Sequence, residues 1–304
     1  MFKQFRERQQ QASLQARNWY APEIRMPDPA IFIGGCDRSG TTLFKSVLDR
    51  HPRLACGPET NIWGRPFRIG SLGSLWEVSK RELQQRVQKA ANLPEFAVDF
   101  YQDYLLGPDQ KIRWVDKTPN NVMVVPQLLS WFPEGRFIQM IRDGRDVCCS
   151  LRHHRKERIR GGKIVPMRTN NPIDECARKW LHETSLGLAS QDHPRYLQVR
   201  YEHFLDDPEL ELRRVCDFLD EDYDPQMLDP SVKTKSAQLI GSKLNNSNAD
   251  RPIERQALQR WHRDLSPAER QTIEQIAGGL LRKLNYTNSS DWVANGRPHE
   301  ARST

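Results

Sequence analysis

The sequence predicts an α/β protein in which a mostly parallel sheet of about five strands lies between helices in a single three-layer domain. Short runs of β-favouring residues alternate with segments whose apolar residues recur at helical spacing. A glycine-rich loop within residues 31–43 joins the first such strand to the first such helix. Neither a repeat nor a flexible linker divides the 304 residues. We therefore place the domain at residues 30–286, after an arm at 1–29 and before a polar tail at 287–304.

The loop that follows the first strand has the composition of an anion site. Residues 31–33 favour a strand, Gly35 and Gly40 bracket a short loop, and a helix is predicted over 41–50. Backbone N–H groups of such a loop and of the first helical turn form a concave site that phosphate commonly occupies. Arg38 adds a planar, permanently charged donor that can bridge two acidic oxygens. The alternative interpretation is a glycine-rich turn that binds nothing.

This segment, residues 35–42, is called the phosphate loop below. Its spacing Gly35-x4-Gly40 fits the nucleotide-triphosphate pattern G-x-x-x-x-G-K-[ST], which makes the domain P-loop-like. Thr41, however, stands where the lysine that reaches the β- and γ-phosphates is expected. The loop therefore suits one terminal phosphate better than three.

Further strands are predicted, and polar residues follow each of them. They cover residues 54–56, 112–115, 136–141 and 196–200. In chain order, the residues of interest after these strands are Glu59, Lys117, Arg142 and Tyr201. Because ligands of parallel sheets bind outside the carboxyl ends of the strands, we expect these side chains along one edge of the sheet.

Helices are predicted where apolar residues recur at intervals of three and four. After the first helix they cover 78–91, 94–106, 121–131, a segment through Ser150 and Leu151, a segment that starts at Asn171, 208–220, and a final helix that ends near Leu284. Asn171 is expected to cap the helix that Pro172 begins, and Asp207 to cap the following one. The run Ser-Pro-Ala-Glu at 266–269 predicts a capping box.

Two long segments have alternative interpretations. Residues 61–110 form an insertion that either lines a substrate cleft or covers one face of the sheet. Residues 152–171 are basic and broken by glycines, which is typical of a mobile lid over an anionic ligand or of a solvated loop, and we favour the loop. His153 and His154 lack acidic or cysteine companions at ligand spacing, so no metal site is predicted there.

Composition narrows the classes of function. Lysine and arginine number 46 against 39 acidic residues, a net charge of +7 that favours anionic partners, although a basic surface without a specific role explains it equally well. The six cysteines lack C-x-x-C and histidine-paired spacing, which argues against zinc. The amino terminus has no signal-peptide pattern, and no apolar run reaches the ~18 residues of a membrane helix. We therefore expect a cytoplasmic protein without a membrane span.

The phosphate loop resembles that of a known family. Residues 32–35 followed by Arg-Ser-Gly-Thr-Thr-Leu at 38–43 resemble the 5′-phosphosulfate loop of sulfotransferases that use 3′-phosphoadenosine 5′-phosphosulfate (PAPS). The likeness is nearest to the tyrosylprotein sulfotransferases and their bacterial relatives, and it extends from about 31 to 286. It accounts for the missing lysine, since the 5′ end of PAPS is a single phosphate that carries a sulfuryl group.

The resemblance implies a set of cofactor-binding residues. Arg142 and Ser150, eight residues apart, match the arginine and serine of the 3′-phosphate motif, and Tyr201 matches a cofactor-contacting tyrosine. A loop within 231–251 closes over the nucleotide in the family. The complete implied set is Arg38, Ser39, Gly40, Thr41, Thr42, Arg142, Ser150, Tyr201, Ser247 and Arg251.

The resemblance also implies the catalytic residues. Cys-Gly-Pro-Glu-Thr at 56–60 resembles the family's Cys-Gly-Glu-Glu-Thr, which makes Glu59 the candidate base, with proline in place of the first glutamate. Cytosolic small-molecule sulfotransferases place a histidine where this chain has Pro119, so glutamate is favoured. Lys117, assisted by Arg38, would neutralise the leaving oxygen without a metal. Luminal relatives have a cysteine in place of Val115 that can pair with the equivalent of Cys56, and its loss fits a reducing compartment.

The functional prediction is in-line transfer of a sulfuryl group from PAPS to an acceptor hydroxyl on a small molecule, a glycan or a peptide tyrosine. The product would be 3′-phosphoadenosine 5′-phosphate (PAP), and a homodimer is compatible with the sequence. The alternative is a P-loop kinase or NTPase, which would need a lysine at Thr41 and a metal-holding aspartate such as Asp116. Specific nucleic-acid binding has no recognition motif to support it.

Overall fold

The structure is a computed structural model that describes residues 23–64, 67–106, 111–154, 156–160, 163–167, 171–239 and 258–295. Most of the predicted amino-terminal arm lies outside these residues. The predicted cofactor residues Ser247 and Arg251 also lie outside them, so their roles stay predictions.

A parallel sheet forms the centre of the molecule and confirms the predicted fold class. The chain runs through β1 (Ile31–Gly35), β2 (Leu54–Cys56), β3 (Arg113–Lys117), β4 (Arg136–Ile141), β5 (Lys156–Arg160), β6 (Lys163–Met167) and β7 (Tyr196–Arg200). The sheet has five strands in the order β2-β3-β1-β4-β7, and all neighbours pair in parallel. Ile31 in the central strand pairs with Val115 on one side and Arg136 on the other. The strand order thus reverses at β1, which is where open parallel sheets bind ligands.

The helices follow the predicted order with shifted ends. They are α1 (Thr41–Leu48), α2 (Ile69–Trp76), α3 (Lys80–Lys89), α4 (Leu93–Tyr101), α5 (Val125–Trp131), α6 (Gly144–Arg152), α7 (Ile173–Leu188), α8 (Tyr201–Asp206), α9 (Pro208–Leu219), α10 (Lys235–Gln238), α11 (Trp261–Asp264), α12 (Pro267–Lys283) and α13 (Trp292–Asn295). Asp207 caps α9 by accepting the Leu210 N–H. Ser266 and Glu269 form the capping box of α12, so both of these cap predictions are confirmed.

Helices cover both faces of the sheet, which makes the three layers. Ile31 and Ile33 pack in the cluster that contains residues of α1 and α9, whereas Phe32 between them packs with aromatic residues from the 61–110 insertion. Successive strand residues point to opposite faces, so a strand buried on both sides needs apolar residues at every position. This requirement explains the continuous apolar run of β1.

The insertion covers one face of the sheet. Tyr101 of α4 stacks on Trp114 of β3 with ring centroids 4.5 Å apart, and Trp76 of α2 packs edge-on against Phe100 at 4.9 Å. Of the two interpretations of residues 61–110, the sheet cover is the one these contacts support. α2 lies outside the predicted helices, because its two glycines give this segment weak helical character.

Several local predictions are wrong. Asn171 does not cap α7: its side-chain amide donates to the Leu151 carbonyl at 2.7 Å, and Pro172 takes the cap position. Residues 119–123 form a 3₁₀ helix that precedes α5, where one continuous helix was predicted. The favoured loop at 152–171 contains the antiparallel hairpin of β5 and β6. The glycine pair at 161–162, which suggested a loop, lies between the two strands in the sequence and is equally typical of a hairpin.

The carboxyl-terminal part returns to the main body. Trp292 of α13 is buried and packs edge-on against Trp261 of α11 with ring centroids 5.3 Å apart. The predicted polar tail therefore contributes a core residue. Within the described ranges, no helix combines the length and apolar character needed to cross a membrane.

Candidate active site

The phosphate loop connects β1 to α1 through a tight turn. The Ser39 N–H donates to the Cys36 carbonyl at 3.1 Å. Arg38 and Gly40 both have left-handed backbone angles, with φ of 74° and 88°. The Tyr201 ring lies directly over Gly40, so a Cβ at position 40 would overlap it. Position 40 therefore requires glycine on two counts, its φ angle and the ring above it.

Unsatisfied polar groups in this loop fit a bound phosphate. Ser39 is 1% exposed, and its hydroxyl has no hydrogen-bond partner among the described residues. Gly40 takes the cap position of α1 without a side-chain cap, so the first N–H groups of that helix have no capping side chain. A buried hydroxyl and an uncapped helix amino terminus are groups that a phosphate satisfies. The loop thus fits the predicted 5′-phosphate site.

Two arginine side chains, Arg38 and Arg142, form a cationic cluster at the carboxyl ends of β1, β4 and β7. The Arg38 Nε donates to the Ser150 hydroxyl at 3.0 Å, and the Arg142 Nη1 donates to the Arg38 carbonyl at 3.0 Å. The Arg142 guanidinium also lies over the Tyr201 ring, 4.7 Å from its centroid. The structure therefore brings together the three residues predicted for the 3′-phosphate and the nucleotide, and it adds Arg38 to them.

Electrostatics in this cluster favour an anion. Burial, with the nearby Arg142 cation, lowers the pKa of the Arg38 guanidinium. Two guanidinium groups held together in a partly buried site repel each other, and an anion between them relieves that repulsion. The Arg38 side chain donates to Ser150, which belongs to the cluster predicted for the 3′-phosphate. This contact does not test the predicted role of Arg38 in neutralising the leaving oxygen, which stays a prediction.

The candidate base and the candidate lysine form an ion pair. Lys117 is the last residue of β3, and Glu59 lies just after the neighbouring strand β2. The Lys117 Nζ is 2.6 Å from Glu59 Oε1. Lys117 Nζ is also 3.4 Å from the Thr42 hydroxyl in the first turn of α1. The Lys117 side chain is 5% exposed and that of Glu59 is 39% exposed. The lysine therefore links the phosphate loop to a carboxylate that solvent can reach.

A lysine of α7 holds the other side of the phosphate loop, and no sequence pattern pointed to it. Lys179 Nζ lies 3.1 Å from Asp37 Oδ2 and also pairs with Glu183 of its own helix. The pKa of Lys179 is raised by these carboxylates in spite of partial burial. The pair ties residue 37 in place next to Arg38. Only the three-dimensional position of α7 shows this link.

Asp146 links the carboxyl-terminal part of the chain to the end of the site that is predicted to hold the nucleotide. No sequence pattern indicated this residue. Its carboxylate in the first turn of α6 accepts the N–H groups of Gln259 at 2.7 Å and Trp261 at 3.1 Å. Burial, reinforced by the nearby Asp143 carboxylate, raises the pKa of Asp146 to about 7. These bonds fix the chain where it leaves the segment predicted to close over the nucleotide.

The aspartate that a kinase would use to hold a metal ion makes hydrogen bonds inside the protein instead. Asp116, the candidate metal-holding aspartate of the alternative function, accepts hydrogen bonds from Trp63 Nε1 and Thr118 Oγ1 inside the protein. In the described part of the chain, no group of three or more metal-ligating side chains converges. The geometry of Asp116 does not favour the kinase alternative.

Comparison with known proteins finds similar sequences in one family. Residues 29–225 match the sulfotransferase family. The chain is 30% identical over 286 residues to protein-tyrosine sulfotransferase A of Caenorhabditis elegans, a match that covers 90% of this chain and 71% of that protein. It is 29% identical over 293 residues to protein-tyrosine sulfotransferase 1 of Danio rerio, with 93% and 79% covered.

Solved structures share the fold. The sulfotransferase domain from the olefin synthase of Synechococcus PCC 7002 superimposes with a TM-score of 0.61 at 21% identity, over 86% of this chain and 98% of that one. Mouse sulfotransferase SULT7A1 in complex with PAP gives a TM-score of 0.52 at 12% identity, with 92% of each chain covered.

The chain belongs to the sulfotransferase family. It is an enzyme, a PAPS-dependent sulfotransferase that transfers a sulfuryl group to an acceptor hydroxyl.

Proposed function

We propose that this sulfotransferase acts on the phenolic hydroxyl of a peptide tyrosine, with Glu59 as the base and Lys117 as the cation at the leaving oxygen. One observation carries the proposal: the 2.6 Å contact between Lys117 Nζ and Glu59 Oε1 beside the phosphate loop. The names of the relatives, protein-tyrosine sulfotransferases, support the tyrosine acceptor.

Glu59 is placed to accept a proton from an incoming hydroxyl. A neutral hydroxyl is a poor nucleophile, so a base has to take its proton as the new bond to sulfur forms. Glu59 follows the carboxyl end of β2, and its side chain is 39% exposed, so an acceptor in solution can reach it. Its ion pair with Lys117 directs the carboxylate toward the phosphate loop.

Lys117 is placed to stabilise the leaving oxygen. PAPS supplies an activated sulfuryl group carried on a phosphate. Lys117 Nζ lies between the Glu59 carboxylate and the Thr42 hydroxyl, with 2.6 Å to the first and 3.4 Å to the second. An ammonium group largely removed from water and fixed near the site of developing negative charge acts more strongly than one in solution. Once an acceptor occupies Glu59, the Lys117 protons can turn toward that charge.

The remaining residues hold the cofactor. We propose that Ser39, Gly40, Thr41 and Thr42 bind the 5′-phosphate through the loop N–H groups and hydroxyls. Arg38, Arg142, Ser150 and Tyr201 bind the 3′-phosphate and the nucleotide. Protein cations thereby supply the charge that magnesium supplies in kinases, so transfer is proposed to proceed without a metal.

We also propose a reducing compartment such as the cytoplasm. All six cysteine thiols are buried and free. Burial raises the pKa of Cys36, which lies in the phosphate loop, and of Cys56, which ends the strand before Glu59. Buried thiols that stay protonated are unreactive. None of the six cysteines forms a disulfide.

The acceptor is tested with radiolabelled PAPS and matched peptides. Tyrosine-containing peptides should be labelled, and the same peptides with phenylalanine at the tyrosine position should not. Serine-containing peptides, simple phenols and glycans complete the panel. Labelling of a simple phenol or a glycan, with none on peptides, would reject the tyrosine acceptor and leave the sulfuryl transfer intact.

A further inference from the structure

Asp116 joins several segments around the proposed catalytic pair. It is 1% exposed and lies in β3, immediately before Lys117. Its Oδ2 accepts the Trp63 indole N–H at 2.7 Å and the Thr60 hydroxyl at 3.2 Å. Its Oδ1 accepts the Thr118 hydroxyl at 2.9 Å. One buried carboxylate thus binds residues that follow β2 and residues that follow β3.

The contacts of Asp116 involve the residue that follows each member of the proposed catalytic pair. Since the Thr118 hydroxyl donates to Asp116, its oxygen is directed to accept the Thr60 backbone N–H, which lies 3.3 Å away. Thr60 directly follows Glu59, and Thr118 directly follows Lys117. The positions next to both catalytic residues are therefore tied together through Asp116.

The network needs a group that only accepts hydrogen bonds. An indole N–H and an amide NH₂ can only donate, and both face Asp116: Trp63 Nε1 at Oδ2, and Asn121 Nδ2 at 3.4 Å from Oδ1. The Thr60 hydroxyl also accepts from Tyr101 at 3.2 Å, so its own proton goes to Asp116. Burial raises the pKa of Asp116, and these donors oppose that effect by stabilising the carboxylate. An ionised carboxylate satisfies every donor at once.

We propose that Asp116 is a positioning residue that sets the spacing between Glu59 and Lys117. This inference rests on the proposed function, because Glu59 and Lys117 are its catalytic pair. Neighbouring strand residues point to opposite faces, so Asp116 faces the insertion while Lys117 faces α1 and the phosphate loop. Asp116 acts on the reaction through the loops it holds and makes no contact with the reacting atoms.

Substitution by asparagine tests this network at almost constant volume. In Asp116→Asn the side chain has one accepting oxygen and one NH₂, which must face either Trp63 Nε1 or Asn121 Nδ2, donor against donor. A second change, Trp63→Phe, removes the indole N–H and leaves room for the new NH₂ to donate to Thr60. The double variant should therefore recover part of what the single variant loses.

Expected kinetics follow from the displacement of the pair. Misplacement by about 1 Å can cost ~10²-fold in rate, so we expect the kcat of Asp116→Asn to fall about 10- to 100-fold. The acceptor KM and the affinity for PAP should stay within a factor of about three, since neither ligand touches Asp116. Adding Trp63→Phe should raise kcat above that of the single variant.

The matched control is Glu221→Gln. Glu221 is also a buried carboxylate tied to β3, but it pairs with Arg113 at the opposite end of the strand, at 2.8 Å. Its loss should lower the melting temperature while kcat stays near that of the wild type. Equal losses of kcat in Glu221→Gln and Asp116→Asn at equal loss of stability would reduce Asp116 to a structural residue.

A structural measurement separates this inference from the proposed function. Crystal structures of the wild type and Asp116→Asn, each with PAP, should show Glu59 Oε1 and Lys117 Nζ displaced from their 2.6 Å separation in the variant only. An unchanged separation would overturn the role of Asp116 whether or not peptides are sulfated. A displaced pair together with an unlabelled peptide panel would uphold that role and reject the tyrosine acceptor alone.

Discussion

Glu59 and Lys117 form an ion pair in which one side chain faces solvent and the other is almost wholly buried, 39% exposed against 5%. Lys117 ends β3 and Glu59 lies just beyond the end of β2, so the pairing of these neighbouring strands brings the two side chains together. The carboxylate is the member of the pair that solvent can reach. The cation stays on the side of the phosphate loop.

Glu59→Gln should separate chemistry from binding. The amide keeps the size of the side chain but cannot take the acceptor proton, so single-turnover transfer from saturating PAPS should slow by about 10²–10⁴-fold. PAP affinity should stay near the wild-type value. Glu209→Gln on the exposed face of α9 serves as the control and should leave both unchanged. Wild-type turnover in Glu59→Gln, combined with a lower melting temperature, would make this glutamate structural.

Arg142→Ala should weaken cofactor binding. The lost contact is a charge-assisted hydrogen bond to phosphate, which costs about 1.5–3 kcal/mol, or roughly one to two decades in the Kd for PAP. Titration calorimetry measures it directly. Arg136→Ala is a matched control, because Arg136 begins the same strand at its far end and pairs with Asp220 there. Unchanged affinity in Arg142→Ala would move the 3′-phosphate site elsewhere.

PAP should stabilise the protein more than other adenine nucleotides do. A ligand that binds only the native state raises the melting temperature according to its affinity. We expect Arg38 and Arg142 to bind the 3′-phosphate of PAP. ADP, ATP and AMP lack a 3′-phosphate, so these nucleotides should raise the melting temperature less. EDTA should change neither the PAP shift nor the transfer rate. An equal shift with ATP and magnesium would revive a kinase-like function.

Asp146 should make stability depend on pH. Its carboxyl group has a pKa raised to about 7 in the native state, against about 3.9 when unfolded. Between these values the native state binds the extra proton, so the contribution of Asp146 to stability is complete below pH ~4 and is lost as pH rises through about 7. Each unit of the shift corresponds to about 1.4 kcal/mol.

Melting curves of the wild type and Asp146→Asn across that range measure this effect. An asparagine side chain cannot titrate, so the difference in melting temperature between the two proteins should change steadily from pH 4 to 7 and become constant above it. Both proteins share the other titrating groups, whose contributions cancel in the comparison except for that of Asp143, which interacts with the carboxylate at position 146. A difference that does not change with pH would place the native pKa of Asp146 near its ordinary value.

The sheet and the residues at its carboxyl edge could be predicted because their signals are local. Glu59, Lys117, Arg142 and Tyr201 lie at or just after the ends of buried β-favouring runs, and parallel strands bring such ends to one edge. A short motif also predicted the phosphate loop, since its two glycines and their spacing are a local signal.

The remaining features depend on partners that are distant in sequence. Asp146 meets the N–H groups of Gln259 and Trp261 more than a hundred residues away. Asn171 has the residue type of a cap, but a carbonyl of the preceding helix takes its side chain. The role of Asp116 required knowing that Trp63 and Thr60 would fold over the end of β3.

The Tyr201 ring over Gly40 has a consequence for how this sequence can vary. A smaller side chain at position 201 would open space above the loop, yet the left-handed backbone at position 40, with φ of 88°, would still penalise any residue with a Cβ by about 1–2 kcal/mol. Position 40 cannot be freed by a change at 201, whereas 201 can change without one at 40. Across related sequences position 40 should therefore stay glycine whether or not position 201 carries a ring, so the residue at 201 can vary while position 40 does not.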